Sequence, residues 1–340
     1  MKVFITGATG FIGSHMVAQC LDRGWNVTAV KRANSNLDAF HSVEELYKQT
    51  DGNSEGEEIQ RIQHLKESLK SLAEWQCNRE INPTAKGKLD WISLSIDDID
   101  QIKEALKTPY DLIIHAAAQI SFKKSDGPRM IEDNIQLARN VVNAALINGQ
   151  KKLIHVSSIA ALGRPTEDRP IQITDAWEES DYNTDYAKSK YHSELEVWRG
   201  KEEGLDVLIV NPGIVLGYAA GYNSYRRIID AVIKGNPFIP AGSNGFVFVE
   251  ELACRTLNLS QETSNWNQRY LMVSHNLQYE TLLKQVARVY STKPPKWKLE
   301  GLLFNTVYRL VSALEFMGIH MSVSTELLKS TRKKSVYLNS

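Results

Sequence analysis

Three side-chain types, spaced along this chain, could carry a proton to or from a carbonyl oxygen. Tyr186 and Lys190 lie four apart in Tyr186-Ala187-Lys188-Ser189-Lys190, and of 13 tyrosines only Tyr186 has a lysine at that distance. On a helix, positions i and i+4 share one face. A free phenol titrates near pH 10 and is a poor acid–base at neutral pH. A lysine ammonium one turn away would stabilise the phenolate and lower that pKa toward working pH. Ser158 ends the apolar run Leu153-Ile154-His155-Val156, 28 residues before Tyr186. Its hydroxyl would bind the substrate oxygen and hold it against Tyr186. Asn134, on the helical stretch before that run, is a candidate to support a proton relay.

A second group of residues is suited to phosphate. Val3-Phe4-Ile5 reads as a buried strand, followed by Thr6-Gly7-Ala8-Thr9-Gly10-Phe11-Ile12-Gly13 and an apolar-periodic helix that stops at Gly24. Gly7 permits a tight turn, Gly10 lets backbone approach a pyrophosphate, and Gly13 lets the helix pack on the strand. The helix N-terminus supplies N–H groups and a positive dipole end. Thr9, Phe11 and Ile12 belong to the same dinucleotide loop. The next strand, Trp25 to Val30, runs into Lys31-Arg32, with Arg32 nineteen residues past Gly13. A site for NAD would place an acid there; two cations favour a 2′-phosphate, hence NADP(H) over NAD. An oxidised nicotinamide would reinforce the effect of Lys190 on Tyr186.

These residues need elements to position them. Further strands are expected at Leu89–Ile96, at Asp111–His115 running into Ala116-Ala117-Ala118, and at Lys152–Ser158. The three alanines would let a nicotinamide ribose lie against backbone. A helix carries Asn134 and Asn140, and another carries Tyr186 and ends near Gly200. Residues 36 to about 88 form an insert. Leu37, Phe40, Val43 and Tyr47 mark one helix in it; Ile59, Ile62, Leu65, Leu69, Leu72 and Trp75 mark a longer one. Packing is the favoured reading of that stripe, with a dimer contact or a lid as alternatives. Asp51 to Gly56 reads as a mobile turn between them. Past Tyr218 the alternation loosens. Leu303, Val307, Leu310, Val311, Leu314 and Met317 form an amphipathic helix expected to pack on the C-terminal region. Interfacial membrane contact, helped by Lys296, Trp297 and Lys298, is the second reading.

The Gly-x-x-Gly-x-x-Gly and Tyr-x-x-x-Lys spacings together resemble the extended branch of the short-chain dehydrogenase/reductase family, the NAD-dependent epimerase/dehydratase superfamily. His155-Val156-Ser157-Ser158-Ile159-Ala160-Ala161-Leu162-Gly163 and His115 to Phe122 are most similar to dihydroflavonol-reductase-like and 3β-hydroxysteroid-dehydrogenase-like members. The resemblance implies that Pro212-Gly213 presents backbone to the nicotinamide amide. Ser95 and Ile96 stand where the family's Asp-Leu contacts adenine, so that contact is weakened or shifted to Asp97. Glu250 stands where an Asp is usual. Thioester reductases of the superfamily also carry helical inserts after the second strand. The family's C-terminus usually continues further, which leaves a truncated chain open.

Composition narrows the class. Forty Lys+Arg balance 40 Asp+Glu, which argues against a general nucleic-acid footprint, and 42% hydrophobic residues suffice for a large core. Cys20, Cys77 and Cys254 lack metal-ligand spacing, so no metal site is expected, and free thiols in a reducing cytoplasm are the expectation. No signal peptide or transmembrane segment is evident. The expected fold is α/β: a Rossmann-type doubly wound parallel sheet over residues 1–217, with a smaller C-terminal substrate-binding region over 218–340 that returns some strands to the sheet. The expected activity is NADPH-dependent reduction of a carbonyl on a hydrophobic small molecule, or the reverse oxidation. The alternatives are a nucleotide-sugar epimerase or dehydratase using NAD, a thioester reductase, and a non-catalytic NADPH-binding regulatory protein.

Overall fold

Strands covered on both faces by helices read as continuous apolar runs, because neither side meets water. Val3, Phe4 and Ile5, then Leu112, Ile113 and Ile114, are such runs, each at most 1% exposed. The computed structural model describes residues 1–48, 56–70, 86–121, 124–221, 224–317 and 323–338. The chain begins β1 (Lys2–Thr6), α1 (Phe11–Asp22), β2 (Asn26–Lys31), α2 (Asp38–Lys48) and α3 (Glu57–Lys70). It continues β3 (Leu89–Ser93), α4 (Ile99–Ala105), β4 (Leu112–His115), α5 (Gly127–Ile147) and β5 (Lys152–Val156). Then come β6 (Ile171–Gln172), α6 (Asp185–Glu202), β7 (Asp206–Pro212), β8 (Ile214–Leu216) and α7 (Ser224–Ile233). Next are β9 (Phe238–Pro240), β10 (Ser243–Phe248), α8 (Val249–Leu259), β11 (Gln268–Met272) and β12 (His275–Gln278). The last are α9 (Tyr279–Val289), β13 (Trp297–Leu299), α10 (Gly301–Phe316), α11 (Thr325–Arg332) and β14 (Tyr337–Leu338).

Seven of these strands form a parallel sheet in the order β3-β2-β1-β4-β5-β7-β11. Strand order reverses between β1 and β4, so the loops after those two strands diverge and leave a crevice at their carboxyl ends. Side chains alternate between the faces. Val3, Ile5, Leu112, Ile114, Ile154 and Val156 pack under α1 and α8; Phe4, Ile113, Leu153 and Val207 pack under α4, α5 and α6. β11, from the C-terminal third, closes the sheet beside β7. Chemistry therefore belongs at the upper rim of β1, β4 and β5.

The insert is a packing element. Val43 and Tyr47 of α2 join Ala18 of α1, whereas Ile62, Leu65 and Leu69 of α3 enter a core with Phe246, Phe248, Leu282 and Val286. Tyr290 Oη donates to Glu58 Oε1 at 2.6 Å, and His275 Nε2 lies 3.0 Å from the Leu69 carbonyl. Leu72, Trp75 and the turn at 51–55 fall outside the described residues.

Four expectations change. The third strand stops at Ser93, because Asp98 caps α4 by accepting from the Asp100 and Gln101 N–H groups; Leu94 and Ile96 turn into the core. The C-terminal helix has the expected period but a different phase. Of its six apolar positions only Val311 is buried, beside Phe304, while Leu303, Leu310 and Met317 face outward. Cys20 is a free buried thiol as expected, whereas Cys254 is disulfide-bonded; Cys77 lies outside the described residues. Trp25 precedes β2 as a core residue instead of opening it. No described helix is long and apolar enough to cross a membrane.

Candidate active site

The loop after β1 is built by the closeness of two glycines. Gly7 has φ +71°, and a Cβ there would lie 2.5 Å from the Ala117 nitrogen; a Cβ on Gly13 would lie 2.1 Å from the Gly7 carbonyl oxygen. Neither distance tolerates a side chain, so α1 is drawn down onto the turn and the turn onto the Ala116–Ala117 backbone. Gly10 donates to the Gly7 carbonyl at 2.9 Å and serves as the exposed N-cap of α1. The first turn of α1 holds neither a side-chain cap nor an acid. That open positive end suits a phosphate. Thr9, Phe11 and Ile12 are half-buried, with Phe11 edge-on to His15. At the end of β2, Ser35 Oγ accepts from the Arg32 N–H at 2.9 Å and fixes a small turn. The heads of Lys31 and Arg32 carry no ion pair among the described residues, and Arg32 is exposed.

Across the crevice, Thr184 caps α6 by accepting from the Ala187 N–H at 3.1 Å, which sets Tyr186 in the first turn. The Tyr186 hydroxyl hydrogen-bonds the Ser158 side chain. Ser158 also caps the short helical turn Ile159–Leu162, accepting from the Ala160 N–H at 3.2 Å. One turn along α6, Lys190 Nζ is buried and donates to the Val156 carbonyl at 3.1 Å. Ser158, Tyr186 and Lys190 thus converge at the end of β5.

Their electrostatics depart from expectation. Burial pushes the Tyr186 phenol above its ordinary value, against the lowering effect of the Ser158 hydrogen bond. Burial lowers Lys190 itself to about 8, against the opposing pull of Glu194. Desolvation exceeds the charge effect that spacing alone suggested.

The remaining residues sort by what they touch. Asn134 is fully engaged: its Oδ1 accepts from the Gln119 N–H at 2.7 Å, and its Nδ2 donates to the Gln119 carbonyl at 2.9 Å and to Ser189 Oγ at 3.2 Å. It clamps the segment after β4 onto α6. Ala116 and Ala117 are half-buried next to Gly7, and Ala118 is exposed. Asn140 donates to the Ile96 and Asp97 carbonyls, each at 3.0 Å, and holds the turn that carries Ser95 and Ile96. Gly213 donates its N–H to the Met272 carbonyl at 3.0 Å, and Pro212 has no N–H to offer.

Sequence reasoning missed Glu194, one further turn along α6. Its buried carboxylate accepts from Ser157 Oγ and from Asn211 Nδ2 (2.6 Å), and lies 3.6 Å from Arg269 Nη1. The signal was present, because Tyr186, Lys190 and Glu194 continue one i, i+4 series. The His115 and His155 rings lie nearby, centroids 5.3 Å apart and planes tilted by 32°, and burial holds both imidazoles well below the usual range. His115 Nδ1 is 2.7 Å from Thr6 Oγ1.

Residues 3–237 match the model of the NAD dependent epimerase/dehydratase family. The chain is 24% identical over 214 residues to a putative dihydroflavonol 4-reductase of Synechocystis, covering 63% of this chain and 49% of that protein. It is 24% identical to sterol demethylase protein B of Methylococcus capsulatus (93% and 82% covered) and 26% identical to cinnamoyl-CoA reductase 1 of Petunia hybrida (86% and 78%). Among solved structures, gox2253 superposes with a TM-score of 0.70 at 24% identity, covering 99% of this chain and 89% of the other. MoeE5 in complex with UDP-glucose and NAD gives 0.61 at 18% identity, covering 88% and 85%. The crevice, the glycine turn and the match over most of the chain agree: this protein belongs to the NAD dependent epimerase/dehydratase family and is an NAD(P)-dependent oxidoreductase.

Proposed function

We propose that the protein reduces a ketone or aldehyde on a hydrophobic small molecule, using NADPH, or runs the reverse oxidation. The hydrogen bond between Ser158 and Tyr186, with Lys190 one turn behind, carries this reading. The residues fit a dinucleotide. The glycine turn leaves no room for side chains at Gly7 and Gly13, α1 opens uncapped, and Lys31 and Arg32, without an ion pair among the described residues, are suited to a 2′-phosphate. When bound, the nicotinamide supplies the hydride that the carbonyl carbon accepts. Ser158 then donates to the carbonyl oxygen, and Tyr186 gives that oxygen its proton. Lys190 stabilises the phenolate left behind, while Asn134 keeps the Ala116–Ala118 segment at its distance from α6.

The names of the relatives, a flavonoid reductase, a sterol demethylase and a cinnamoyl-CoA reductase, support an apolar or aromatic substrate. A nucleotide-sugar reaction using NAD is the second reading, favoured by the neighbour solved with UDP-glucose and NAD. Ketones, aldehydes and flavanonols screened for NADPH oxidation, beside UDP-sugars with NAD, separate the two. In the active assay Tyr186→Phe should lower turnover by about 10²–10⁴-fold while NADPH still binds. Undiminished turnover would remove Tyr186 from the mechanism.

A further inference from the structure

Helix α10 is apolar on two sides, and the fold covers one of them. Phe304 and Val311 turn inward to meet Leu299 and Leu328. On the opposite side Leu303, Thr306, Leu310, Ala313 and Met317 recur at spacings of three and four, which makes one face of a helix. Leu302 is 81% exposed, Leu310 59%, Met317 62%, and Phe316 at the helix end 93%. Helices on a protein surface ordinarily turn charge outward, and contiguous apolar exposure marks an interaction site. The helix carries two charged side chains. Arg309 is exposed, and Glu315 is drawn inward, accepting from Thr325 N–H at 2.9 Å and Thr325 Oγ1 at 2.8 Å.

Charge identifies the occupant. Residues 293–340 hold eight Lys and Arg against three Glu, in a chain of zero net charge. Trp297, 57% exposed, sits just before α10 among exposed Lys293, Lys296 and Lys298, of which Lys298 is tied to Glu280. An outward apolar stripe with a tryptophan and cations beside it matches the layered chemistry of a lipid interface: acyl chains, then headgroups, then phosphates. A second copy of this chain fits poorly, because two such segments face to face would oppose Lys296 and Arg309 to their own kind. At 16 residues the helix is too short to span a bilayer.

We propose that α10 lies flat on an anionic lipid surface, with its Leu303–Leu310–Met317 face among the acyl chains and Lys296 and Arg309 at the phosphates. The docked helix is joined to the active site by a short path. Glu315 holds Thr325 at the start of α11, and Glu326 accepts from the N–H of Asp185, the residue before Tyr186.

The test is cosedimentation of the full chain with vesicles of phosphatidylcholine alone or with about 30% phosphatidylserine. Binding should require phosphatidylserine and be released by salt. Removing either Lys296 or Arg309 as alanine should weaken it about fivefold. Leu303→Glu with Leu310→Glu should abolish it; both positions face solvent, and retained NADPH binding reports an intact fold. Failure to bind anionic vesicles overturns the proposal, as does binding that survives the double glutamate change. A dilution-sensitive dimer that Leu310→Glu dissociates, without vesicle binding, assigns the face to a second copy instead.

Discussion

Which of two side chains holds its proton at neutral pH decides which of them can serve as the acid. Burial raises the Tyr186 phenol, so it is neutral at pH 7 and suited to give a proton to a nascent alkoxide, which is the reductive direction. Burial lowers Lys190 to about 8, so it is mostly charged at pH 7 and loses its charge as pH rises through that value. The reductase rate should therefore fall on the alkaline side near pH 8. Glu194 raises Lys190 through its charge, so Glu194→Gln, which keeps the side-chain shape, should move that alkaline limb to lower pH. A pH–kcat profile measured on both proteins checks this, and coincident limbs would show that Glu194 is only structural. Arg32 makes a separate prediction, because a guanidinium meets a 2′-phosphate through charge-assisted hydrogen bonds. Arg32→Ala should raise KM for NADPH by tenfold or more and leave KM for NADH nearly unchanged. Equal effects on the two cofactors would assign Arg32 to solvation of the strand end. Tyr186, Lys190 and Ser158 were legible in the sequence because residue type and i, i+4 spacing are local facts. The upward shift of Tyr186 was not, since it depends on how much protein stands over the hydroxyl.

Elements place these side chains, and α3 shows how an insertion can be recruited to do so. Its stripe of Ile62, Leu65 and Leu69 fills a core shared with α7, α9 and β10, and Leu65 is fully buried there. Leu65→Ala should cost about 2–5 kcal/mol, from lost burial and the cavity left behind. Denaturant titration of the two proteins measures the difference. A change below about 1 kcal/mol would mean that the insert rests on the surface and that its contacts collapse freely. The same period of three and four announced α10, yet its outward phase could not be read. A helix apolar on two sides gives no single face to choose, and the choice was made by packing against Leu299 and Leu328, outside the helix. The glycine turn was legible for the opposite reason: its constraint lies within seven residues, Gly7 to Gly13, whose backbone atoms touch. Asn134 was singled out by its place before the catalytic strand, but its clamp on Gln119 and Ser189 needed both partners in view.

At the scale of the molecule, the chain divides by sequence near residue 217 but does not divide by packing. The core beneath α1 runs from Val3 and Ile5 through Val247, Val249, Leu252 and Leu257 to Met272. β11 pairs with β7 inside the main sheet, and α3 carries the N-terminal half into the C-terminal core. Two regions that share cores in both directions should unfold together, since neither can open without exposing the other's apolar surface. Calorimetry should accordingly show one transition. A ligand bound only by the folded chain stabilises it by about 2.7 kcal/mol at a hundredfold excess over Kd. Its midpoint should then rise by a few degrees with NADPH, as a single peak, given about 2–4 °C per kcal/mol for domains somewhat smaller than this one. Two peaks, of which NADPH moves only one, would show that the C-terminal region folds on its own and that the shared cores are contacts of convenience between separate units.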